Sequence, residues 1–171
     1  MTKYEELCSA FESMKKSYHE RKDSSLKFVQ WLVTGFEKYL GCPDKQVKYV
    51  PISKTPSSSL SHYLLGSVHL DENSHWHFGV GIRIEKPPLL PLKETVILDI
   101  VVDRREGAFV VKLAALDDEF TIHEGNTDEA EGFYNFAFRV ISSQYQTAQM
   151  WNESPESERK IGFQSEGSRA K

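Results

Sequence analysis

The sequence is poor in the residue groups that announce a specialised chemistry. It has two cysteines, Cys8 and Cys42, in 171 residues. Two thiols this far apart make no disulfide framework, and no Cys/His spacing matches a zinc site, so both read as reduced structural thiols. Clustered cations are missing as well. Basic doublets such as Lys15-Lys16 and Arg104-Arg105 are ordinary surface chemistry, and the net charge is −4. Between Leu116 and Glu131 there are seven acidic residues and no Lys or Arg. A phosphate backbone demands a basic face, so a nucleic-acid partner is not expected.

Long apolar runs are also absent. The longest mostly apolar stretch, Phe28 to Phe36, is interrupted by Gln30 and Thr34 and is too short to span a bilayer. The opening residues Met1 to Glu6 lack the apolar core of a signal peptide. The expectation is a cytoplasmic protein without a membrane partner. Gly79-Val80-Gly81 lies inside a strand pattern and not at a strand-to-helix turn, which excludes a phosphate loop. No serine occupies a nucleophile elbow, and neither cysteine has a local cue for activation. No cofactor is implied.

Aromatic residues are plentiful: ten Phe and seven Tyr can fill one good core. We expect a single α+β domain over residues 1–151, followed by a disordered polar tail over 152–171. In the first forty residues Tyr4, Leu7, Cys8, Phe11, Met14 and Tyr18 recur at helical spacing, then Leu26, Val29, Leu32, Val33, Phe36 and Leu40. Asp23-Ser24-Ser25 offers N-cap side chains, so the helix is expected to break or restart there. Gly41 and Pro43 end it. Phe28 and Trp31 fall off the second stripe, which implies a second buried surface or an exposed sticky one.

Gln46 to Ile52 reads as a short edge strand, and the serine-rich stretch 53–61 as a loop. The clearest hairpin has Leu60 to Leu70 as one arm and His75 to Glu85 as the other. Trp76, Phe78, Val80, Ile82 and Ile84 alternate strictly with polar residues and glycines. Pairing Leu70 with Trp76 puts Val68 opposite Phe78 and Leu64 opposite Ile82, across a loop of Asp71 to His75. The three prolines in Lys86 to Glu94 predict an extended crossing segment. A three-strand meander follows, with Val102 facing Phe109, Ile100 facing Val111, Asp99 facing Lys112 and Leu113 facing Ile122. Asn126 and Glu129 then cap a long final helix, expected to reach Trp151. Its apolar arc is wider than one packing surface needs. The architecture is therefore an antiparallel sheet of five to six strands, flanked in two layers by an N-terminal helix or helix pair and a C-terminal helix.

Three functional readings follow. The first is a non-enzymatic interaction protein that self-associates or binds a protein partner, as an assembly factor, chaperone-like dimer or toxin-neutralising partner. Its interaction residues would be Phe28, Trp31, Leu89, Leu90 and Leu92, the apolar surplus. The second is a small-molecule pocket between sheet and C-terminal helix, lined by Tyr63, Trp76, Phe78, Phe109 and Tyr134. The third is a hydrolase-type enzyme on the polar sheet face. The expected register sets Asp99, Lys112 and His123 in one row able to move protons, and His75 and His77 on one strand face can ligate a metal. A cross-strand salt bridge on a solvated face is the favoured reading of that row, and packing of the proline-rich segment is the simpler account of the paired glycines.

Overall fold

The structure is a computed structural model that describes residues 2–43, 45–52, 64–86, 92–146 and 159–161. It is a mixed α+β fold in which two helices cover one face of a mostly antiparallel sheet. Helix α1 spans Lys3–Leu40 without a break. Its start carries a capping box: the Thr2 hydroxyl accepts from the Glu5 N–H, and the Glu5 carboxylate accepts from the Thr2 N–H. Gly41 closes it in the left-handed conformation with φ 59° and donates to the Lys38 carbonyl. The expected interruption at residues 23–25 does not occur. Asp23, Ser24 and Ser25 sit mid-helix, Ser25 is buried, and the Ser24 hydroxyl accepts from Arg104. Tertiary contacts there override the local preference for a cap.

The strands are β1 (Val47–Tyr49), β2 (Val68–Leu70, preceded by a 3-10 turn Leu64–Ser67), β3 (Trp76–Lys86), β4 (Leu92–Arg105), β5 (Ala108–Leu113) and β6 (Phe120–Ile122). They are followed by helix α2 (Thr127–Gln146) and by β7 (Arg159–Ile161). The main path is β1-β3-β4-β5-β6, with β2 beside β3 and β7 parallel to β4. The β2–β3 register is the expected one, Leu70 opposite Trp76 and Val68 opposite Phe78. Leu64 does not continue it. It belongs to the 3-10 turn, and Ile82 pairs instead with Val47 of β1.

The proline-rich segment is not a crossing connection. β3 and β4 pair all the way from Trp76↔Val102 to Lys86↔Leu92, so residues 87–91 join the arms of one long hairpin. The expected meander register is also off, by two residues. Arg105 pairs with Ala108 across a two-residue turn in which Glu106 and Gly107 have φ 48° and 88°. Two consecutive left-handed residues make the tight turn whose twist suits a hairpin, and this draws Val111 opposite Val102 and Lys112 opposite Val101. Similarly Ile122 meets Phe109, not Leu113, because residues 114–119 form a wider connection than a turn at Asp117-Asp118. Both slips are by even numbers of residues, so every side chain keeps its predicted face. β7 lies within the segment expected to be a disordered tail. It pairs with Val96, Ile97 and Leu98 on the stretch of β4 that β5 does not reach.

Both helices pack on the face that carries Trp76, Phe78, Val80, Leu98, Ile100, Val102, Phe109, Val111 and Leu113. Phe28 stacks on Phe109 with centroids 3.9 Å apart, and Phe36 meets Tyr134 of α2 at 5.6 Å. Helix α2 rests on β5, β6 and α1 together, which covers much of its wide apolar arc, while Phe138 and Tyr145 stay exposed. Its N-terminus is held by the Asn126 side chain accepting from the Glu129 N–H. Close helix contact depends on Gly35, because a Cβ there would meet the Tyr134 hydroxyl, which donates to the Leu32 carbonyl at 3.0 Å.

Candidate functional site

A helix of 38 residues is about 57 Å long, and only its second half lies over the sheet. Residues 2–21 are all exposed, whereas Phe28, Val29, Leu32, Val33 and Phe36 are buried. The helix leaves the sheet at Tyr18, whose ring lies 5.6 Å from that of Trp76 at the start of β3. Beyond that point Tyr4, Leu7, Phe11, Met14 and Tyr18 are 41–75% exposed. Their spacing alternates three and four, so they form one continuous seam. Extended into the domain, the same seam runs through Ser25, Phe28 and Leu32, all of them buried. One stripe therefore begins uncovered and ends in the core. The opposite surface is polar and charge-balanced: residues 3–23 hold five Lys or Arg and five Asp or Glu.

The sequence reading placed the apolar surplus elsewhere. Phe28 is not available to a partner, since it is fully buried against Phe109. The off-stripe position of Phe28 reflects a helix wedged between a sheet and a second helix. Trp31 is half-buried beside Phe28 and lines a groove between α1 and α2. Leu89 and Leu90 lie outside the described residues, and Leu92 opens β4. The residues missed were Tyr4, Leu7, Phe11, Met14 and Tyr18. Part of their signal was present, since no Gly or Pro occurs between Thr2 and Thr34 to break the helix, but where the sheet stops covering it is set by distant strands.

The α1–α2 groove has a volume of about 630 Å³ and is lined by Trp31, Tyr39 and Tyr134, with Lys27 and Lys38 along its length. Burial pushes the Tyr134 hydroxyl up to about 12, so it stays a hydrogen-bond donor. Tyr39 donates to Asn135 across the helices at 2.7 Å. Of the expected pocket residues, Trp76, Phe78 and Phe109 are packed into the core, Tyr134 lines the groove, and Tyr63 lies outside the described residues.

On the far face of the sheet the expected row does not assemble. Lys112 lies opposite Val101, not Asp99, and the side-chain partner of Asp99 is His77, with Nδ1 2.9 Å from the carboxylate. Lys112 instead borders a small cavity with His75, Asp103, Arg105 and Glu119. His123 is drawn to α2, where Glu129 accepts from both its backbone and its ring. Thus Asp99 and His77, candidates for two separate sites, meet each other. The second His77 nitrogen, Nε2, is 3.3 Å from Asp71, which also takes His75 Nδ1 and the His75 backbone N–H. Both ring nitrogens of His77 thus lie within hydrogen-bond distance of a carboxylate, an arrangement that favours the imidazolium, which donates from both. The bond to Asp99 outweighs burial and holds the His77 pKa above its usual range. Burial pushes Asp71 up, but bonds from the His75 backbone, His77 and His75 together hold it below the ordinary carboxylate value.

An imidazole donating from both nitrogens has no lone pair for a metal or for proton abstraction. Among the described residues no group of three or more His, Cys, Asp or Glu side chains is placed to hold a metal ion. The His77 cluster instead fastens the 71–75 turn to β4. Further along that face, Gly79 admits a close backbone, the Val50 strand end, and Gly81 faces the Val50 side chain, while the proline-rich residues 87–91 lie outside the described residues. A Cβ on Gly79 would strike the Val50 carbonyl, whose own N–H donates to Gly79.

No helix among the described residues is long and apolar enough to cross a membrane. Compared with family models, curated proteins and solved structures, the chain matches none.

Proposed function

We propose that this protein is a non-enzymatic interaction module whose docking element is the projecting half of α1. The observation that carries this reading is the uncovered seam of Tyr4, Leu7, Phe11, Met14 and Tyr18. Scattered apolar residues on a surface are ordinary, but five large ones in a single line are the pattern that partner helices recognise. A capped N-terminus and a C-terminal half anchored in the core keep the helix formed before any partner arrives. Binding then incurs little ordering entropy. The polar sheet face supports catalysis less well, because its best-placed base is clamped at both nitrogens.

The reading is tested by placing a photo-crosslinking amino acid at position 11, on the seam, or at position 12, on the polar side. In cells of the native host, protein adducts should form from position 11 and not from position 12. Adducts to lipid alone, or equal labelling from both positions, would overturn it.

A further inference from the structure

The seam also carries information about what covers it. We infer that its occupant is a second copy of this chain, with the two projecting helices side by side and antiparallel. This rests on the interaction reading above and adds the partner and the geometry. The strict three-four spacing over Tyr4, Leu7, Phe11, Met14 and Tyr18 suits another helix of the same period, whose side chains fit between those of the first. The area suffices. Side chains of these sizes and exposures offer roughly 600 Å² per chain, so two copies bury about 1,200 Å², where specific interfaces begin.

Direction follows from where the sheet sits. Sheet and seam occupy the same stripe of α1, since Ser25, Phe28 and Leu32 continue the line of Tyr18 into the core. A second helix running parallel would meet the sheet of the first copy from Tyr18 onward, in the space that Trp76 begins to fill. An antiparallel helix ends beside Arg21, which is still exposed, one turn before the buried Ser25, and its own domain lies past the free end of the first helix. Both helices then share only their projecting halves.

The layers agree with that direction. In an antiparallel pair centred between residues 11 and 14, Phe11 faces Met14 of the second copy and Leu7 faces Tyr18. Tyr4 lies over Arg21, whose guanidinium can stack on the ring. Each aromatic ring thus meets a flexible or smaller side chain. A parallel pair would stack Tyr4, Phe11 and Tyr18 each on its own copy, three bulky layers in one narrow seam. The positions flanking the antiparallel seam bring Cys8 near Lys15, Ala10 near Ser17 and Lys3 near Ser24, so no two charges of α1 with like sign face each other across these pairs, and the nearest other cation is Arg104, bonded to Ser24. A bilayer surface is the poorer occupant, because the polar side of this helix is charge-balanced and holds no basic excess for anionic headgroups.

The test uses the full chain with Cys8→Ser and Cys42→Ser. Sedimentation equilibrium should give about twice the 19.6 kDa of the monomer. Phe11→Glu with Met14→Glu should weaken association by about 100-fold or more. Because both side chains are exposed, the variant should keep its helical circular dichroism, which separates lost docking from lost folding. Under mild oxidation, a mixture of Leu7→Cys and Tyr18→Cys chains should form the mixed disulfide, while Leu7→Cys alone should not dimerise covalently. Disulfide formation by Leu7→Cys alone would overturn the antiparallel arrangement. A monomer at every concentration would overturn the second copy. In that case adducts to a different protein from position 11 would leave the interaction reading standing, and binding to anionic vesicles with no protein adduct would remove both.

Discussion

The two halves of α1 share one helix, one stripe and one residue vocabulary, yet they meet opposite fates. From Ser25 to Phe36 the stripe is buried under the sheet and α2, and from Tyr4 to Tyr18 it faces solvent. Periodicity identifies which side of a helix is apolar, but not what covers that side. In the buried half the covering surface comes from strands far along the chain. The projecting half runs past the point where those strands end.

The largest test of that contrast is to truncate one ring in each half. Phe28→Ala removes a stacked, fully buried side chain and should cost about 3–5 kcal/mol of stability, enough to unfold a marginal domain. Phe11→Ala, measured on dissociated chains, should change stability by no more than about 0.5 kcal/mol. Equal losses in urea titrations would mean that both halves are covered within one chain.

A second test moves from the helix to the sheet. Gly79→Ala drives a methyl group into the Val50 carbonyl and should destabilise by about 1–3 kcal/mol. Glu106→Ala, at an exposed turn of the same sheet, should stay within about 1 kcal/mol, since a left-handed residue gains little from its side chain. A Gly79→Ala protein with an unchanged denaturation midpoint would show that the strand end after β1 does not lie on β3.

The pH dependence is smaller and has a definite sign. The folded His77 pKa is raised, so its stabilising contribution is complete below the usual histidine value of 6.5 and is lost as pH rises through the folded value. The folded Asp71 pKa is lowered, so its contribution is present above 3.8 and is lost as pH falls through the folded value. Urea midpoints should therefore decline from neutral toward alkaline pH in the native protein. In His77→Gln that decline should be flatter, and superimposable pH profiles would rule out the clamp.

The smallest expected effect is at the β4–β5 turn. Glu106 has φ 48°, so Glu106→Gly relieves a left-handed non-glycine residue and should raise stability by about a few tenths of a kcal/mol, seen as a slightly higher melting temperature. Differential scanning calorimetry would detect the sign, and a lowered melting temperature would contradict the tight-turn geometry.

Much of this architecture could be read directly. The alternation of Trp76, Phe78, Val80 and Ile82 identified both the strand and its buried face, and the Leu70–Trp76 pairing carried the β2–β3 register. Turn geometry was harder. Glu106-Gly107 lacks the Asn or Asp that usually marks a two-residue turn, so the meander register slipped by two while its faces survived. The prolines of the 86–94 stretch suggested a break in the sheet, yet β3 and β4 pair on both sides of residues 87–91, as far as Lys86 opposite Leu92. Of the candidate site, His77 and Asp99 were both visible as residues. Their meeting was not, because it depends on the β3–β4 pairing, which the proline-rich segment concealed.

By itself the sequence determined the kinds of element, their order, and which side of each is apolar. Those properties follow from residue spacing against periods of 3.6 and 2. Only tertiary structure decided which apolar sides are covered and which polar side chains become partners. The sheet ends under Tyr18, and strand pairing draws Asp99 to His77. Covering a surface requires atoms from distant parts of the chain, and local spacing carries no record of where those atoms stop.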